Sequence, residues 1–162
     1  MGTLAKSVQN NYSEINVLLS TPDGEVNQGI TLYNFINALP VPVNMFNIGN
    51  VNSIGNVIYQ AGTKRTACEF SSFMFHGVGF DIQNERLELS HLQDKMQNLR
   101  NDQSLILDIM VRHTQMPPSD IEDLFRKMAF INAQESLQRG ISDEVANVSV
   151  PSGAPIEQLI FQ

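Results

Sequence analysis

The chain has 162 residues, 42% of them apolar, and a formal charge of −7. Those values suit one domain, spanning 1–162, with a sizeable core, and the acidic balance works against nucleic acid and anionic membrane as partners. No apolar run approaches a membrane span, and the N-terminus lacks a secretory-signal pattern, so a cytoplasmic location is expected.

Residues 3–13 read as a short helix or its remnant. INVLLS (15–20) is a continuous apolar run between turn signals, the mark of a buried parallel strand. TPDG (21–24) is a turn: proline sets φ, and aspartate and glycine tolerate the left-handed region. From Glu25 to Leu39, Val26, Ile30, Tyr33 and Ile36 recur at helical spacing, and Pro40 and Pro42 close that helix. VNMFNI (43–48) is the second strand. A helix from Ser53 to Ala61 follows, ended by Gly62. TACEF (66–70) and SFMFHG (72–77) read as short strands. The alternation of strand and helix predicts an α/β fold with a mostly parallel sheet.

The second half changes character. From Asn84 to His113 the apolar positions Leu92, Met96, Leu99, Ile106 and Met110 form one narrow stripe. A helix of that length is a rod of about 45 Å, longer than the domain needs, so part of it is expected to project. Pro117-Pro118-Ser119 opens the next helix, with Ser119 and Glu122 at capping-box spacing. KMAFI (127–131) reads as a final strand. Asn132 and Glu135 repeat the cap before AQESLQR, and Gly140 ends that helix. The tail 151–162 is loose or docks IEQLIF as an edge.

The single cysteine, Cys68, excludes an internal disulfide and reads as a buried structural thiol in a reducing compartment. Three histidines, His76, His91 and His113, form no ligand pattern with it, so no metal and no cofactor is expected. Ser53 stands between Gly49 and Gly55 in GNVNSIGN, at a strand-to-helix turn. Helix N-termini present free N–H groups there, which suits an oxyanion. A serine at that position is also the commonest helix cap, and the residue alone leaves both readings open. His76 ends the next apolar run, FMF, where a base would stand beside Ser53 if both strands end at one sheet edge.

STPDGEV, GNVNSIG and FMFH come in order, each at the carboxyl end of a predicted strand, where sites of open α/β sheets form. With FINAQESLQRGISD (130–143) they resemble the motifs of the Clp protease proteolytic subunits, the ClpP-like serine peptidases of the crotonase-like fold. The resemblance runs from Ile15 to Val145. It implies repeated β-β-α units and a long handle helix through which two rings meet. It also implies Ser53 as nucleophile, His76 as general base, and the backbone N–H groups of Asp23 and Ile54 as oxyanion hole. Gly24 and the stretch GVGFD (77–81), with Gly77, Val78 and Gly79, would bind an extended peptide. Unfolded polypeptide is the substrate so implied, and a homo-oligomeric ring, or stacked rings, the assembly.

Three departures bear on those expectations. The position of the family's triad aspartate falls on Met128, which cannot orient an imidazole; Asp120, Glu122 or Asp123 could substitute only if their helix bent toward His76. Asp23 replaces the first glycine of the oxyanion turn, and its carboxylate opposes a developing anion unless it points away. The family's N-terminal loops are reduced to residues 1–14, which puts engagement of a Clp ATPase in doubt. A catalytically impaired homologue serving as a scaffold or regulatory subunit is the alternative. An acyl-CoA enzyme of the same fold ranks last, because that chemistry needs no Ser–His pair.

Overall fold

The computed structural model describes residues 1–80, 86 and 88–158. After the short helix α1 (Gly2–Gln9), strand β1 (Ile15–Thr21) leads into α2 (Val26–Asn37) and β2 (Val43–Asn52). Then come α3 (Gly55–Gln60), β3 (Lys64–Ala67) and β4 (Ser72–Met74). The long helix α4 (Leu89–His113), α5 (Pro118–Lys127), β5 (Phe130–Asn132), α6 (Ala133–Gln138) and β6 (Glu144–Val145) complete the order.

β2 organises the sheet. β1 runs parallel along one edge of it, Ile15 opposite Val43 and Thr21 opposite Val51. The other edge is shared in turn by β3, over Asn44–Asn47, and by β4, over Asn50–Asn52. β6 extends the sheet beyond β3 in parallel, and β5 closes the far side antiparallel to β4. The mostly parallel α/β sheet expected from the alternating pattern is therefore present.

The core lies between the inward residues of β2 and β4 and the helices. Val43, Met45, Val51 and Phe73 are almost fully buried, together with Val57 and Tyr59 of α3, Met110 of α4 and Ile121 of α5. Each such side chain contributes about 1.5–3 kcal/mol. α4 is about 37 Å long. Its stripe divides: Ile106 and Met110 are core, whereas Met96 is half exposed, so only the C-terminal half is packed into the body. The expected start of this helix, at residues 84, 85 and 87, lies outside the described residues.

Several boundaries differ from expectation. β2 continues past Ile48 to Asn52, because the polar GNVN segment keeps pairing with β4. β3 is set earlier, at Lys64–Ala67, and Cys68 is half-buried rather than buried. The helix expected from Ser53 begins at Gly55. α5 starts directly on Pro118; a proline's preset φ begins a helix by itself, so Ser119 sits inside the first turn and turns its hydroxyl to Asp120 instead of capping. KMAFI is not one strand: α5 runs to Lys127, and Met128 ends it in the left-handed region. The Asn132 cap forms as expected, its side chain accepting the Glu135 N–H at 2.8 Å. Residues 151–158 form no strand, and the end of IEQLIF lies outside the described residues.

A buried polar knot joins the ends of these elements. Arg65, on β3, donates from Nη1 to the Gln60 side chain and to the His113 carbonyl (2.9 Å). Its Nη2 and Nε grip Asp143 at 2.5 and 3.1 Å. The carboxylate also accepts the Arg65 N–H at 2.8 Å. His113 in turn meets the Tyr33 hydroxyl at 2.7 Å. Burial, and then the neighbouring Arg65 and Arg112, hold this histidine below its ordinary pKa.

Candidate active site

Ser53 follows β2 and precedes α3 with φ at 56°. A non-glycine residue in the left-handed region costs about 1–2 kcal/mol and is kept only where neighbouring structure imposes it. Ile54, not Ser53, takes the N-cap position, and no side chain caps α3. The plain capping role therefore does not apply to Ser53. Gly55 lets the turn sit against β1: a Cβ there would lie 2.4 Å from Thr21 Cγ2. Gly29 of α2 makes the equivalent allowance for Ile54, whose Cγ1 would be 2.1 Å from an added Cβ.

His76 lies two residues beyond the end of β4. Its Nδ1 stands 2.8 Å from the Gly77 carbonyl oxygen. A carbonyl only accepts, so Nδ1 carries the proton and Nε2 keeps its lone pair, the tautomer a general base needs. Nε2 faces Asp23 Oδ2 at 3.8 Å, and Asp23 is the one carboxylate within 4.0 Å of His76 among the described residues.

The β4–β5 ladder pairs Phe73 with Ile131 and Met74 with Phe130. One step on, the Phe75 N–H donates to the Ala129 carbonyl at 2.9 Å. The pairing stops there: the Ala129 N–H turns back to the Leu124 carbonyl at 3.2 Å, and Met128, 63% exposed, ends α5 in the left-handed region. Asp123 instead pairs with Arg126 and Lys127, and Asp120 and Glu122 are exposed on α5. The helix does not bend to offer a carboxylate.

Asp23 is turned toward the histidine. Its Oδ1 accepts the Gly24 N–H at 2.7 Å, while its own carbonyl accepts the Thr21 hydroxyl at 3.0 Å. The N–H groups of Asp23 and Ile54 have no hydrogen-bond partner among the described residues. Residues 77–80 make no backbone hydrogen bond there apart from the Gly77 carbonyl to His76. Asp81, the last residue of GVGFD, lies outside the described residues.

Ser53, His76, Asp23, Gly24, Val78 and Gly79 line one recess of about 120 Å³. Gly77 adjoins it through His76. The fold thus gathers the predicted residues from three turns. Its inner wall includes Asn56, Ile106, Met110 and Phe125, which the sequence did not single out for the site. Ile106 and Met110 belonged to the helical stripe, a signal for burial but not for this location. Asn56 offered only its position in SIGN, three residues after Ser53.

An α/β fold built around a long parallel strand, with a serine elbow and a histidine at neighbouring strand ends, describes a ClpP-like protein. The chain belongs to the Clp protease family, whose model matches residues 3–149. It is similar to a Deinococcus radiodurans protein named ATP-dependent Clp protease proteolytic subunit, 27% identical over 139 residues, or 85% of this chain and 67% of that one. Family membership makes the chain a relative of peptide-bond hydrolases. Among the described residues no helix is long and apolar enough to cross a membrane, and no cluster of metal-ligating side chains occurs.

Proposed function

We propose that the protein is a serine-type peptidase acting inside a homo-oligomeric compartment, with Ser53 as nucleophile and His76 as base. The observation that carries this reading is the strained, uncapped Ser53 sharing a recess with His76 and Asp23, with the N–H groups of Asp23 and of the adjoining Ile54 unpartnered among the described residues. His76 Nε2 takes the Ser53 hydroxyl proton as Oγ attacks the scissile carbonyl. The N–H groups of Asp23 and Ile54 receive the oxyanion. His76 then returns the proton to the leaving amine. The unpaired backbone at 77–79 offers main-chain hydrogen bonds to an extended, unfolded polypeptide, indifferent to its sequence.

The test is labelling with a fluorophosphonate probe between pH 6 and 9. Labelling of the wild type is expected, with none in Ser53→Ala. Absence of wild-type labelling throughout that range refutes the reading. A compartment further requires assembly: the solution mass is expected at a high multiple of the monomer, and a monomer removes the compartment.

The alternative, an impaired homologue serving as a structural or regulatory subunit, draws on two observations. Among the described residues no carboxylate meets His76 Nδ1, and the Asp23 carboxylate holds the N–H of Gly24, which lines the same recess. Persistent failure to label, combined with stable assembly, is its signature.

A further inference from the structure

Asn56 is 1% exposed, yet it is polar and lines the recess beside Ser53. Its Nδ2 donates twice: to the Ser53 carbonyl at 3.0 Å and to the Met74 carbonyl at 2.8 Å. Both neighbours are acceptors, which fixes the orientation of the amide. Its backbone N–H also donates to the Ser53 carbonyl, at 3.0 Å. The Met74 carbonyl accepts a further bond, from the Ser53 N–H at 2.8 Å. One side-chain amide therefore joins the backbone of the elbow to the last residue of β4.

That junction is where the support from β2 stops. The β2–β4 ladder ends at Asn52 opposite Met74. The next residue, Phe75, turns its N–H to Ala129 instead. His76 is thus carried on backbone that has left β2, and the Met74 carbonyl is the last point tying it to the Ser53 turn. Asn56 Oδ1 is buried with no hydrogen-bond partner among the described residues. A buried acceptor without a partner is unfavourable, so packing alone favours an apolar side chain of the same shape here.

Resting on the serine-peptidase reading, we infer that Asn56 is a positioning residue that holds the left-handed Ser53 turn at a set distance from the strand bearing His76. It touches neither substrate nor the reacting atoms. It acts through two carbonyls, with the nucleophile on one side and the base on the other.

The test compares wild type, Asn56→Leu, which keeps the shape and removes both donors, and Asn56→Ala, which adds no bulk. Three quantities are read: the rate constant for fluorophosphonate labelling, the final stoichiometry of labelling, and the Tm. Both variants are expected to reach wild-type stoichiometry with a rate constant lowered roughly 10- to 100-fold. In peptide hydrolysis, kcat falls while KM is kept, because 77–79 is untouched. A fall in stoichiometry tracking a fall in Tm, or failure of both variants to fold, assigns Asn56 to stability and overturns the inference. A wild-type rate constant in folded variants overturns it alone. Absence of labelling in the wild type removes the peptidase reading and this inference together.

Discussion

Met128→Asp is expected to raise kcat for peptide hydrolysis about 10- to 100-fold, with KM little changed. The Phe75 N–H donates to the Ala129 carbonyl at 2.9 Å, so His76 and Met128 each adjoin that bonded pair along the chain. An aspartate at 128 would act by reaching Nδ1. That nitrogen now donates to the neutral carbonyl of Gly77 at 2.8 Å, which orients the ring but carries no charge to stabilise imidazolium. In the well-studied serine triad, loss of the acid's function costs about 10⁴ in turnover. Only part of that is recovered where the surroundings were not built for the pair. The substitution is mild for the fold: Met128 is 63% exposed with φ at 50°, and aspartate tolerates the left-handed region better than methionine does. Met128→Asn is the control, since it keeps the shape and lacks the charge. Equal rates in wild type, Met128→Asp and Met128→Asn would show that the acid's absence does not limit this protein.

Arg65→Ala is expected to destabilise the fold by about 3 kcal/mol, as three polar groups lose a donor at about 1–3 kcal/mol each. For a protein of this size the shift in Tm is about 6–12 °C. The guanidinium joins β3 to α3, to the end of α4 and to the residue before β6, and its removal leaves Gln60 and the His113 carbonyl without this donor and Asp143 with the Arg65 backbone N–H alone. Asp143 is 40% exposed and regains some water, which argues for the lower figure. The loss also has a pH signature. Burial works to raise the Asp143 carboxyl, but the Arg65 bonds outweigh it and hold the group below its ordinary value. A carboxyl depressed in the folded state contributes stability above its unfolded value, about pH 3.9, and loses it as pH falls further. The Asp143 share of that acid limb should shrink in Arg65→Ala, where the backbone N–H and Lys64 still favour the carboxylate. Thermal melts between pH 2.5 and 7 measure both effects, and a Tm within 2 °C of wild type at pH 7 would contradict the role of the knot.

Strand and helix alternation and the three turns carrying Ser53, His76 and Asp23 were legible in the linear chain. Periodicity and turn chemistry act over a few residues, and they leave their mark in the order of residue types. The family motifs added the order of the turns. What they did not contain was where each backbone leaves the sheet. The positive φ of Ser53 depends on β4 and Asn56, far along the chain or hidden in a helix, so a capping serine and a strained one look alike in sequence. Which residues of β4 and β5 face one another is a matter of their antiparallel register. The carboxylate of Asp23 meets the imidazole only because β1 and β4, on opposite edges of β2, both run parallel to it and finish at the same end of the sheet. Local residue patterns determined the elements and the candidate chemistry. Long-range pairing on β2 decided which groups meet, because hydrogen-bonded register transmits position across strands that the covalent chain holds dozens of residues apart.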